Sequence, residues 1–235
     1  MKFDARKETK ETVGKYLELF TPNCYTEEEL YDWIKICKDY KLRSFIVYSH
    51  WLPIIAKELK GTGIRVGAGG GFPLGMDTPK AKAQTMADNV SMGCTTLDLT
   101  MNQPAFLSGR YDIVDEELTL FKKVAGDIET KLIIEVFRLN DEQIRLASKM
   151  AVDHGIDWVK SSTGQFQGPN MQQCKIILDT IKGSNTRLKV SGVKFPRPQN
   201  AYAFLSAGAE IIGSQGVVEI IEAFDMLKEL GVLPS

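Results

Sequence analysis

The run Asp157-Trp158-Val159-Lys160-Ser161-Ser162-Thr163-Gly164 sets a lysine inside what otherwise reads as a short buried strand, with small hydroxyl residues after it. Lysine is rarely buried unless its charge is compensated. The same interruption recurs at Lys189, between Leu188 and Val190, and at Asp98, between Leu97 and Leu99. Successive side chains of a strand point to opposite faces. If Val159, Leu188, Val190, Leu97 and Leu99 turn one way, Lys160, Lys189 and Asp98 turn the other, and Ile134 and Val136 send Glu135 to the same side. Strands of an open doubly wound sheet are apolar on both faces. Charge on alternate positions instead favours a closed barrel with a polar interior.

The rest of the chain supplies the other staves. Residues 15–20, 44–49, 64–72, 95–100, 131–137, 158–161, 188–191 and 211–213 read as strands. Helices are expected from Thr26 and over 51–59, 79–92, 111–124, 141–154, 171–181, 199–206 and 217–230, with a short helical lead-in over 4–14. Thr26 and Glu29 make a capping box ahead of the apolar stripe Leu30, Trp33, Ile34 and Cys37. Strand–helix alternation implies a parallel sheet covered by helices. Eight units predict an α/β fold, a (β/α)₈ barrel occupying residues 1–235 as one domain, slightly below the roughly 250 residues typical of it.

Composition narrows the function. The net charge is −1, with 43% hydrophobic and 25% charged residues and no basic or acidic block, so neither a nucleic-acid groove nor a membrane surface is indicated. No apolar run nears the roughly 20 residues of a membrane helix, and the polar start is unlike a secretory signal. A cytoplasmic location is expected. Cys24, Cys37, Cys94 and Cys174 form no Cys-x-x-Cys pair, and only His50 and His154 are present, so no metal site and no cofactor is expected. Gly67-Ala68-Gly69-Gly70-Gly71 runs into Phe72-Pro73 rather than a helix start and reads as a turn, not a dinucleotide loop.

Charges converging near the C-terminal ends of barrel strands point to a site, because barrel active sites lie there. Paired lysines suit one chemistry in particular. The ordinary lysine pKa of about 10.4 leaves roughly one amine in 2,500 neutral at pH 7. A second cation about 5 Å away, at an effective dielectric near 20, contributes on the order of 3 kcal/mol against the ammonium, and desolvation adds to it. A neutral amine can attack a carbonyl and form a Schiff base. Asp98, with Glu135 as helper or as a group orienting a lysine, can move the protons.

Val159-Lys160-Ser161-Ser162-Thr163-Gly164 resembles the Schiff-base strand of the deoxyribose-phosphate aldolases, a lysine-dependent (class I) family. Leu188-Lys189-Val190-Ser191-Gly192 resembles the family's second-lysine strand, Thr96-Leu97-Asp98-Leu99 its proton-relay strand, and Gly71-Phe72-Pro73-Leu74-Gly75 a family loop. The likeness runs from about Thr21 to Phe224. It implies Lys160 as Schiff-base lysine, Lys189 as its charged neighbour, Asp98 as acid/base and Thr163 as a donor contact. It implies a sugar phosphate or aldehyde as substrate and leaves homo-oligomerisation open.

The chain also departs from the family. Tyr16 and Glu18 stand where an acidic residue and a threonine are usual, and Gln165 where many members have lysine. The paired glycines become Gly192-Val193, and the serine pair before the last helix becomes Gln215-Gly216, next to Ser214. The expectation is an aldolase whose phosphate end is held differently, with Lys194 and Arg197 replacing lost donors. Two other readings stand beside it: a barrel that only binds a sugar phosphate, and a noncovalent sugar-phosphate isomerase or synthase.

Overall fold

A computed structural model describes residues 2–235. Eight strands, β1 (Leu17–Phe20), β2 (Ser44–Ile46), β3 (Arg65–Gly70), β4 (Thr96–Thr100), β5 (Glu129–Ile133), β6 (Trp158–Lys160), β7 (Arg187–Ser191) and β8 (Ile211–Ser214), pair in parallel and in chain order. Pairing of β1 with β8 closes the barrel. An open sheet is thereby excluded.

The helices form the outer layer: α1 (Glu27–Asp39), α2 (Leu52–Glu58), α3 (Pro79–Ser91), α4 (Gln103–Leu107), α5 (Tyr111–Ala125), α6 (Asp141–Asp153), α7 (Met171–Ile181), α8 (Arg197–Ala207), α9 (Val217–Glu222) and α10 (Phe224–Glu229). The Thr26–Glu29 capping box forms as read, and Asn140 and Asn170 cap α6 and α7 in the same way. No helix among the described residues is long and apolar enough to cross a membrane.

Several boundaries differ from the sequence reading, each for a local reason. The lead-in is two 3₁₀ turns, Ala5–Lys7 and Val13–Tyr16, and the second takes Lys15 and Tyr16 out of the first strand. Tyr16 is buried there, its hydroxyl donating to Glu8 at 2.8 Å. The fifth strand stops at Ile133, because Glu135 has φ 49° and turns the chain into a 3₁₀ turn. The last helix is split at Ala223, and α4 is an addition.

The strand faces divide as alternation requires. Leu19, Phe45, Leu97, Leu99, Leu132, Val159, Leu188, Val190 and Ile212 join the apolar layer between sheet and helices. The opposite faces, bearing Glu18, Thr96, Asp98, Lys131, Lys160 and Lys189, meet inside the barrel and are all buried. Burying about 100 Å² of apolar side chain is worth roughly 2.5 kcal/mol, so the outer layer carries the fold while the centre is given over to charge. One further buried ion pair braces the mouth: Lys82 of α3 meets Glu117 of α5. Lys82 also donates to the Thr100 carbonyl at 2.8 Å, and Glu117 accepts from the Asn102 amide at 3.0 Å, which fixes the end of β4.

Candidate active site

Register brings the interior charges together. Lys160 on β6 is level with Lys189 on β7, and Asp98 on β4 is level with Lys131 on β5. Lys160 Nζ donates to Asp98 Oδ2 at 2.8 Å. Lys189 Nζ bonds Glu18 on β1 and lies 3.4 Å from the same Asp98 oxygen. Lys131 Nζ stands 3.2 Å from Asp98 Oδ1, 3.5 Å from Glu18 and 3.5 Å from Glu129. Below them Arg43 donates to Glu18 at 2.8 Å and to Glu129 at 2.6 Å. Gly213 makes room for this packing: a Cβ there would meet Ser191 Oγ at 2.3 Å and Lys189 Cε at 3.0 Å.

The electrostatics follow from burial set against these partners. Burial opposes ionisation of Asp98, but Lys131, Lys160 and Lys189 outweigh it and hold the carboxyl well below the usual range. Glu18 is brought down to about 2 in the same way, by Lys131, Lys189 and Arg43. For Lys189 burial wins over the carboxylates, with Lys160 and Lys131 adding to it, and its amine falls to about 8. Lys131 is raised, because Asp98, Glu18 and Glu129 overcome its burial.

Above this cluster the mouth has two lobes that share Phe20, Ile46 and Lys160. The polar lobe, about 160 Å³, is lined by Thr163, Gly192, Val193, Arg197, Ser214 and Gln215 among others. The second lobe, about 230 Å³, reaches Asp98 and is walled by Phe20, Tyr48 and Phe72. Phe72 packs edge-on against Phe20 at 4.9 Å and Tyr48 at 6.0 Å. This aromatic wall was not read from the sequence, because Phe20, Tyr48 and Phe72 lie on three separate segments.

Most sequence-selected residues converge here, and three do not behave as read. Lys194 is exposed and outside the lining; its carbonyl accepts from Asn200 at 3.0 Å. Gly216 is outside the lining of the polar lobe, its amide donating to Ser214 Oγ at 3.0 Å. Glu135 does not point inward from a strand. It is buried beyond the end of β5, where its Oε2 accepts from the Thr163 amide at 3.1 Å and the Thr163 hydroxyl at 2.5 Å. Burial raises its carboxyl, against those two bonds. It is a positioning group for Thr163. Lys131 was missed altogether. Its position, an even number of residues before Glu135, already placed it on the interior face.

No family model matches the chain. Individual relatives do. The chain is 34% identical over 190 residues to the deoxyribose-phosphate aldolase of Bacillus subtilis, spanning 80% of this chain and 85% of the relative. To that of Brevibacillus brevis it is 32% identical over 215 residues, or 89% and 95%. Among solved structures, the tetrameric deoxyribose phosphate aldolase from Aeropyrum pernix superposes with a TM-score of 0.82 at 25% identity, covering 93% of each chain. Fold and likeness together define a barrel lyase of the aldolase class. The chain belongs to the deoxyribose-phosphate aldolase family.

Proposed function

We propose that this aldolase cleaves or forms 2-deoxyribose 5-phosphate through a Schiff base on Lys160. The observation that carries the reading is the 2.8 Å contact between Asp98 and Lys160 Nζ, the lysine that lines both lobes.

In the cleavage direction the Lys160 amine adds to the C1 aldehyde, and the carbinolamine loses water to give an iminium. A base removes the proton of the C3 hydroxyl, the C2–C3 bond breaks, and its electron pair moves to C2 as the enamine forms. Glyceraldehyde 3-phosphate leaves. Protonation at C2 and hydrolysis then release acetaldehyde and the free amine. Asp98 is ionised at rest, so it begins the cycle as proton acceptor; Lys189 holds positive charge beside the reacting amine below about pH 8. Thr163, pinned by Glu135, contacts the bound sugar.

The polar lobe suits the phosphate. Arg197, at the start of α8, lines it and is only loosely tied to Glu219 at 3.3 Å. Charge-assisted contacts are roughly twice as strong as neutral ones, which compensates for the restricted backbone at Val193 and for Gln215 in place of a hydroxyl. Borohydride added during turnover of deoxyribose 5-phosphate tests the mechanism. A reduced two-carbon adduct on the Lys160 peptide is expected; turnover without any adduct would leave the noncovalent reading in its place.

A further inference from the structure

A larger cavity, about 600 Å³, opens at the opposite end of the barrel. Its wall is built at the strand starts, from Arg43 just before β2, Arg65 and Arg187 at the first positions of β3 and β7, and Lys15, Lys38 and Lys41 around them. Glu210 is the carboxylate in the lining.

The neighbouring carboxylates do not balance this wall. Glu8 bonds Lys15 at 2.7 Å, and Glu58 reaches Lys38 at only 3.8 Å. Glu129 serves Arg43 and, at 3.9 Å, Arg65, but it is shared with Lys131. Glu18 serves Arg43 but is shared with Lys131 and Lys189.

A second observation concerns Trp158, which also lines the cavity. Its ring carries the Arg187 guanidinium at 3.8 Å and that of Arg43 at 5.1 Å. Stacking engages the flat face of a guanidinium and leaves its N–H edges, the part that matches phosphate oxygens, for another partner; Arg43 uses its edges on Glu18 and Glu129, so this applies to Arg187. The indole N–H of Trp158 is itself buried with no acceptor. A wall of cations that includes a guanidinium edge is the complement of an anion.

We propose that this basal cavity binds a small polyanion carrying two or more phosphoryl groups, at a site separate from the catalytic mouth. With both stacked guanidiniums covering the indole, recognition rests on charge and hydrogen bonds rather than on stacking of a base. Occupancy also reaches the mouth, a part that rests on the Schiff-base reading. Arg43 belongs both to the cavity and to the pairing of Glu18. An anion that draws Arg43 downward leaves Glu18 more fully to Lys189. The other groups facing Lys189 are Asp98, Lys160 and Lys131, and none of these lines the cavity. The Lys189 ammonium then persists to higher pH.

The test is calorimetry with inorganic pyrophosphate on the full chain, with inorganic phosphate as the weaker, less charged control. Pyrophosphate is expected to bind more tightly than phosphate. Arg187→Gln with Lys41→Gln should weaken it by about tenfold or more, while Arg187→Lys keeps part of the affinity. Arg197→Ala removes the mouth's own anion contact, and in that background a pyrophosphate heat should remain. Its complete loss there, or its survival when the basal double variant is combined with Arg197→Ala, would overturn the site. Circular dichroism and turnover without pyrophosphate show that the double variant is folded. Saturating pyrophosphate should also move the activity step near pH 8 upward by on the order of 0.5 unit at low salt. Binding without that shift would overturn the coupling and leave the site standing.

Discussion

Lys160 and Lys189 sit level on adjacent strands and share one carboxylate oxygen of Asp98, at 2.8 Å and 3.4 Å. They are not equivalent. Glu18 claims Lys189 as well, while Lys160 opens onto both lobes of the mouth. The lysine with room for substrate is thus the one less encumbered by anions.

This asymmetry predicts where covalent chemistry occurs. Lys160→Met should abolish turnover and borohydride labelling while leaving the barrel signature in circular dichroism. Asp98→Asn should lower kcat by roughly 10²–10⁴-fold, the range for a positioned acid–base group, yet still allow some adduct to be trapped. An adduct found instead on Lys189 would reverse the two assignments.

Lys189 should declare itself in the pH profile. Its amine titrates at about 8, so the cation beside Lys160 is present below that pH and lost above it. Wild-type kcat/KM should show a step near pH 8, and Lys189→Met should erase it while moving the acid limb upward. Lys189→Arg, which keeps a cation, should restore part of the acid-side rate, limited by the fit of its planar fork. An unchanged profile in Lys189→Met would show that the second lysine does not act through charge.

Glu18 should tie stability to acidity. Its carboxyl is lowered from 4.5 to about 2, so its contribution is complete above pH 4.5 and is lost as the pH falls through 2. Asp98, also lowered, acts with the same sign. Thermal melts should therefore fall steeply below pH 4.5. Glu18→Gln leaves Lys189, Lys131 and Arg43 short of an anion and should cost about 3–5 kcal/mol at pH 7, with a shallower acid dependence. A melt as acid-sensitive as wild type would place the sensitivity elsewhere.

Arg197 should discriminate by charge. Arg197→Ala is expected to lose about 1.5–3 kcal/mol of kcat/KM on the phosphorylated substrate, with little change on the unphosphorylated analogue. Lys194→Ala should affect neither, since its side chain stands outside the lobe. Equal losses on both substrates would assign Arg197 to packing, through its contact over Phe195 at 4.1 Å.

Much of this was legible in the sequence because a strand obeys a period of two. Leu97-Asp98-Leu99 and Leu188-Lys189-Val190 each state which side faces the charge, and closure into a barrel is where such sides can meet. The same rule failed at Glu135, since alternation holds only while the backbone stays extended, and φ there is 49°. Nothing in Val-Phe-Arg announces that turn. The pairing of Arg43 with Glu18 and Glu129 was also out of reach, because it joins β1, β5 and the residue before β2 through the barrel rather than along any one segment. Arg197 and Lys194 looked alike as loop cations, and only the path of the chain into α8 separates them.

The ionic centre has a consequence for the ways this chain can change. Removing one member of a buried charge network strands the others, whereas replacing the whole set by well-packed apolar side chains can be neutral or stabilising. Single steps away from Glu18, Asp98, Lys131 or Lys189 are therefore penalised in folding before they are penalised in catalysis. The mouth above them, where Val193, Gln215 and Phe20 sit, is under no such restraint. Substitution in the mouth is therefore cheaper for this fold than substitution in the charged floor beneath it.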